Sequence, residues 1–216
     1  MIRILVTAFG AFPGAPVNPT MRIAAALRKR RRYFRLRGIE IETLVLPVVF
    51  EGTRERLQDA VRRLKPDVIL HLGLAGRRRT ITVETRALNR LTLLHVDAGK
   101  RRAGAITVEK GAPPVRRARY APVRLARTMS QARAPARLSI DAGDYLCNQT
   151  LYLSLGLHQG LCGFIHVPRP RVLLRPRRAG NLAIRRPTIS EMVRAFEHAL
   201  QQLAADHRLA SRRGPT

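Results

Sequence analysis

The chain has 216 residues, 45% of them hydrophobic, which suits one α/β core, leaves little room for a second independent one and excludes a disordered chain. Its net charge of +27 raises the question of a nucleic-acid partner, but only Lys29, Lys65, Lys100 and Lys110 among the 41 basic residues are lysine, a skew that coding bias produces as readily as selection for a partner. The basic residues are scattered, their runs (Arg28 to Arg32, Arg77 to Arg79, Arg175 to Arg178) are short, and no nucleic-acid-binding motif accompanies them, so salt-sensitive adhesion to polyanions is expected and a specific nucleic-acid partner is not.

Ile2 to Phe9 is a β-rich apolar run closed by Gly10, a buried strand followed by a Gly- and Pro-containing loop to Pro19. The run is too short for a signal-peptide core, and no apolar stretch is long enough to span a membrane. Thr20 is placed as the cap of a helix to about Arg32. Ile39 to Val49 alternates as a second strand, and Leu57, Val61 and Leu64 give a helical spacing over Thr53 to Leu64. Val68 to Leu72 is a continuous apolar run suited to a sheet covered on both faces. After the loop Gly73 to Arg79, Thr80 to Asn89 reads as one strand with Thr82, Glu84 and Arg86 on one face, while residues 95 to 120 show no period. Helices follow over Pro122 to Ala132 and Tyr145 to Leu157, and strands over Ala136 to Ile140 and Cys162 to Val167. Arg169 to Pro187 reads as a basic loop, Thr188-Ile-Ser-Glu191 as a capping box opening a helix to about Ala205, and the tail from His207 to Thr216 as frayed and disordered. Strands alternating with helices predict a three-layer α/β/α sandwich with a mainly parallel twisted sheet, one domain over residues 1–206.

Two cysteines, Cys147 and Cys162, are too few for a secreted disulfide scaffold, and the reducing cytoplasm is the expected compartment. Cys147 falls near the start of a helix, where free N–H groups and the dipole favour a thiolate. A cysteine on a helix is more often core filler, and Cys162 reads as structural. His166 ends a strand, where active sites of doubly wound sheets form, although His71 has a similar local claim. Glu84 is a carboxylate inside a strand, able to hold a histidine tautomer or to pair with an arginine.

Five stretches, in order, change those odds. They are Thr7-Ala-Phe9-Gly-Ala-Phe12 with Asn18-Pro19; Leu46-Pro-Val-Val-Phe50; Pro66-Asp67-Val68 to Gly73-Leu-Ala-Gly76-Arg77 with Ile81-Thr82-Val83-Glu84 and Ala87-Leu88-Asn89; Asp141-Ala-Gly143 through Tyr145-Leu146-Cys147-Asn148; and Gly163-Phe-Ile-His166-Val-Pro168. Together they resemble the pyroglutamyl peptidase I family of cysteine peptidases, over residues 5 to 168. The resemblance implies an omega-peptidase that removes an N-terminal pyroglutamate from peptides, with Cys147 as nucleophile, His166 as its base and Glu84 orienting the base. It also implies Phe9, Phe12, Asn18, Tyr145 and Leu146 as substrate-binding residues, no metal or cofactor, and a homo-oligomer, since family members are often tetramers.

The chain also departs from that pattern. Leu74 stands where the family commonly has Gln, Thr85 where it has Arg, and Leu94 near a family Arg used beside the active site. Arg86 and Arg90 are then the candidates for the missing cation. Two alternatives stay open: a divergent hydrolase of another small N-acyl amide, and a non-catalytic basic binding protein.

Overall fold

The computed structural model describes residues 1–12, 14–171 and 185–212. Among these residues eight strands and six helices follow one another as β1 (Ile2–Phe9), α1 (Pro19–Lys29), α2 (Arg31–Arg35), β2 (Ile39–Leu46), α3 (Thr53–Leu64), β3 (Val68–Leu74), β4 (Ile81–Glu84), β5 (Arg86–Leu88), β6 (Val115–Arg117), α4 (Pro122–Gln131), β7 (Ala136–Ser139), α5 (Leu146–Leu157), β8 (Leu161–Val167) and α6 (Ile189–Arg212). The main sheet has the order β2-β1-β3-β8-β4-β7. Its first four strands are parallel, β4 runs antiparallel to β8, and β7 is parallel to β4.

Period-2 alternation divides the apolar side chains between the two faces. Ile4 and Val6 of β1, Leu70 and Leu72 of β3 and Ile165 and Val167 of β8 meet Ile23 and Leu27 of α1, Met129 of α4 and Met192, Phe196 and Leu200 of α6. Leu5, Ile69, Cys162 and Phe164 meet Leu57 of α3 and Leu151 and Leu155 of α5 on the opposite face. Each fully buried large side chain contributes about 1.5–3 kcal/mol of transfer free energy, so both helical layers are held mainly by apolar contact. The expected three-layer α/β/α sandwich with a mainly parallel sheet is the observed architecture.

Local differences from the sequence reading have physical causes. Asn18, not Thr20, caps α1: its Oδ1 accepts from the Thr20 amide at 3.1 Å, and Pro19 fills the first helical position, where no N–H is needed. The helix expected to reach Arg32 breaks at Arg30 and restarts as α2, whose Phe34 is buried in the core. The single strand expected over Thr80 to Asn89 divides at Thr85; β4 stays in the main sheet, and β5 pairs with β6 in a two-stranded sheet.

Residues 95 to 120 lack a period because side chains hold much of the segment. Asp97 accepts from the amides of Phe50, Gly99 and Arg101, and Asn89 donates to the carbonyls of Glu109 and Ala112. The capping box forms as read, with the Thr188 amide donating to Glu191 at 2.8 Å and the Glu191 amide to Thr188 Oγ1 at 3.2 Å. The expectation of a disordered tail from His207 needs correction over its described part, since α6 continues to Arg212. Arg124 pairs with Asp206 at 2.6 Å, and Arg208 donates to the Arg37 carbonyl at 2.8 Å. Most of the basic loop read over Arg169 to Pro187, including Arg175 to Arg178, lies outside the described residues, as do the last four residues of the tail. Among the described residues, no helix is long and apolar enough to cross a membrane.

Candidate active site

Three elements bring a thiol, an imidazole and a carboxylate to one face of the sheet. On β8, alternation turns Cys162, Phe164 and His166 toward the α3/α5 layer, and on β4 it turns Thr82 and Glu84 the same way. Because β4 is antiparallel to β8, Thr82 lies opposite His166 and Glu84 opposite Phe164, which puts Glu84 diagonal to His166 and within side-chain reach. His166 Nδ1 is 2.8 Å from Glu84 Oε1. That contact leaves Nε2 as the nitrogen free to accept a proton.

Cys147 is the second residue of α5. Two neighbours anchor the helix start. The side chain of Leu146 is buried in the core, and the buried amide of Asn148 accepts from the Leu88 amide and donates to the carbonyls of Leu88 and Arg90 at 2.7–2.9 Å. The thiol then lies over Gly73, which pairs in register with His166. A Cβ on Gly73 would stand 3.0 Å from Cys147 Sγ and 2.6 Å from the Phe164 ring, so only glycine admits both groups. Gly73→Ala is therefore expected to destabilise the fold by about 1–3 kcal/mol, as overpacking does, and to lower kcat more than it raises KM. Thermal unfolding together with steady-state kinetics checks this; unchanged kcat would mean the thiol does not depend on that gap.

Arg78 surrounds the carboxylate with positive charge. Its guanidinium donates to Glu84 Oε1 at 2.5 Å, to Thr82 Oγ1, and to the Asp141 carbonyl at 2.8 Å. Burial alone would raise the Glu84 pKa, but the hydrogen bond and charge of His166 and the charge of Arg78 outweigh it and hold the carboxyl below its ordinary value. Burial pulls His166 below the ordinary imidazole value against the opposing pull of Glu84. Burial pushes the Cys147 thiol up to about 12; the Glu84 charge adds to that, and Arg78 opposes it. Burial thus outweighs the lowering that the helix start supplies, and near neutral pH the three groups stand as a thiol, a neutral imidazole and a carboxylate.

The remaining sequence candidates separate into groups. His71 is fully buried, bonds Thr7 Oγ1 through Nδ1 at 2.7 Å, and is pushed by burial to about 3, so it is a neutral core histidine. Phe9 is buried with its ring 6.4 Å from Phe164, and Phe12 packs half-buried against the same cluster. Asn18 commits its amide to Thr20 and, at 3.1 Å, to the Gly10 carbonyl, fixing the loop that carries Phe12. Tyr145 stacks edge-on against Phe50 and donates to the Val96 carbonyl at 2.9 Å, while Leu146 offers the site its backbone alone.

Of the two proposed replacement cations, Arg86 donates to the Ile140 carbonyl and Arg90 is exposed; Arg78 is the arginine on Glu84. Sequence reading missed Arg78 because it is the middle of three consecutive arginines, which look like a solvated run. Leu94, offered as a departure beside the site, is 80% exposed.

A thiol at a helix start, an imidazole at a strand end and a buried carboxylate behind it, in an α/β/α sandwich, are the groups a cysteine-dependent hydrolase uses. Comparison with known proteins narrows the class. The sequence profile of the pyroglutamyl peptidase family matches residues 2–202. The pyrrolidone-carboxylate peptidase of Pyrococcus furiosus is 33% identical over 172 residues, spanning 77% of this chain and 81% of that protein. Pyrrolidone-carboxylate peptidase 1 of Caldanaerobacter subterraneus subsp. tengcongensis is 30% identical over 206 residues, 93% and 97% of the two chains. The crystal structure of the pyrrolidone carboxyl peptidase from Thermus thermophilus superimposes with a TM-score of 0.78 at 32% identity, covering 92% of this chain and 99% of that one. The chain belongs to the pyroglutamyl peptidase family.

Proposed function

We propose that this chain hydrolyses the amide bond following an N-terminal pyroglutamate, with Cys147 as nucleophile, His166 as general base and then acid, and Glu84 as the group that orients His166. The observation that carries the reading is the 2.8 Å His166–Glu84 contact, with Cys147 at the start of α5 over the Gly73–His166 pair. As Sγ bonds to the scissile carbonyl carbon, its proton passes to Nε2 of His166, and the Glu84 carboxylate stabilises the imidazolium that forms. The first N–H groups of α5 have no intrahelical acceptor and suit the developing oxyanion. The imidazolium then protonates the leaving amine as the C–N bond breaks. Water, deprotonated by His166, then attacks the thioester carbon; the C–S bond breaks, pyroglutamate leaves, and the proton on His166 returns to Sγ. Phe9 and Phe12 offer apolar and aromatic surface to the small uncharged lactam.

The test is hydrolysis of a fluorogenic pyroglutamyl amide by the wild type under reducing conditions, followed across pH. A neutral thiol–imidazole pair predicts the form of the profile. Protonated His166 cannot accept the thiol proton, so kcat/KM should fall as pH drops through its lowered pKa, below about 6.5. With the thiol pushed up to about 12, no alkaline fall is expected through about pH 9. A thiolate–imidazolium pair would instead lose activity on the alkaline side as the imidazolium gives up its proton. Folded enzyme that turns over acetyl amides but no pyroglutamyl amide would overturn the substrate assignment.

A further inference from the structure

Beside the triad carboxylate, at the β7 edge of the sheet, lies a cleft of about 560 Å³ whose lining includes Arg78, Arg79, Arg137, Thr80, Ser139 and Asp141. Register explains the grouping: β4 and β7 are parallel, with Thr82 opposite Arg137 and Glu84 opposite Ser139, so Arg137 and Ser139 share the face that carries the triad acid. Of the three arginines, Arg78 is committed to Glu84, Thr82 and the Asp141 carbonyl. Arg79 and Arg137 form no hydrogen bond or ion pair among the described residues, and both are exposed. Oδ1 of Asp141 accepts from the Gly143 amide at 2.9 Å, and its single carboxylate is outnumbered by the two free guanidinium groups. The cleft therefore presents two free guanidinium groups, with hydroxyls beside them, and a net positive charge.

Its position relative to the chemistry gives it a use. Across the sheet the order is β1, β3, β8, β4, β7. Phe9 lies on β1, the thiol over Gly73 at the end of β3, His166 on β8, Glu84 on β4, and the cleft between β4 and β7. If the lactam ring sits at the β1 end, the leaving amine, which His166 protonates, points toward the β7 end. We propose that the Arg79/Arg137 cleft is a subsite for a carboxylate on the leaving peptide, so that the enzyme favours pyroglutamyl peptides with an acidic residue in the first or second position after the ring. The proposal rests on the peptidase reading above. Guanidinium groups suit this task because their planar fork matches a carboxylate and stays charged at every working pH.

Net charge alone would draw any acidic peptide to a +27 protein, so the test must separate the cleft from the overall field. Pyroglutamyl peptides with Glu, Ala or Lys in those two positions would be compared by kcat/KM at about 0.15 M salt. The wild type is expected to favour Glu over Ala about fivefold or more, chiefly through KM. That ratio should fall to near one in Arg79→Ala and Arg137→Ala and persist in Arg28→Ala, a basic residue of α1 on the other face of the sheet. A ratio of one in the wild type, or an equal fall in Arg28→Ala, overturns the subsite. Titration of the same peptides into Cys147→Ala, with and without Arg137→Ala, reads binding apart from turnover. Arg137-dependent preference for the acidic peptide there supports the cleft even if no pyroglutamyl peptide is cleaved, an outcome that would overturn the peptidase reading alone. Inorganic phosphate that binds in an Arg137-dependent way, with no preference among the peptides, counts against a substrate subsite.

Discussion

Cys147→Ser is expected to lower kcat for a pyroglutamyl amide by about 10⁴-fold or more while leaving KM within a few-fold, as removal of a nucleophile does when binding groups are untouched. The size follows from the state of the base. Burial holds His166 below the ordinary imidazole value, so it is a weak base. A serine hydroxyl is several units less acidic than a thiol, and proton transfer to so weak a base becomes the barrier. The substitution removes little volume, and the hydroxyl can still lie over Gly73, so the thermal midpoint should hardly move. Mass spectrometry adds a check independent of rate. A slow pyroglutamyl substrate should acylate Cys147 and leave Cys162 unmodified, because Cys162 is fully buried in the sheet. Residual activity within tenfold of wild type, or acylation at Cys162, would remove Cys147 from the mechanism.

The sequence made the framework legible where one physical signal dominated. The apolar runs Val68 to Leu72 and Cys162 to Val167 read as strands and fall within β3 and β8, and the Thr188–Glu191 capping box reads as the helix start that α6 makes. The family was legible in the order of five short stretches, which single out Cys147, His166 and Glu84 as the candidate site where spacing alone does not. What stayed hidden depends on side-chain contacts that only the folded backbone makes. Arg78 looks like its neighbours in a basic run, and only the return of the chain at β4 brings Glu84 within 2.5 Å of it. The thiol pKa is hidden from the sequence too: the helix start is visible there, whereas the burial that outweighs it comes from packing around α5. Residues 95–120 could not be read because Asp97 and Asn89 pin the loop through backbone amides and carbonyls, and such bonds leave no hydrophobic period.

Glu84→Gln isolates the charge of the orienting group from its shape. The amide is nearly isosteric, and its oxygen can still accept from His166 Nδ1 and Arg78, both of which meet Oε1 in the wild type. The second carboxylate oxygen has no partner among the described residues, so an NH₂ group there disturbs no existing bond. What disappears is the negative charge that offsets Arg78 and stabilises the imidazolium formed during thiol attack. The expected loss in kcat is about 10³- to 10⁴-fold, the scale seen when a triad carboxylate is replaced by its amide. The direction of the accompanying pH effect is fixed. Glu84 raises the His166 pKa and Arg78 lowers it, so removing the carboxylate moves His166 further down, and the acid limb of the kcat/KM profile should shift to lower pH. A group with a merely structural role would lower the unfolding midpoint and leave that limb in place. Turnover within tenfold of wild type with an unmoved limb would show that Glu84 neither holds nor polarises His166, and would return it to the rank of a buried partner for Arg78.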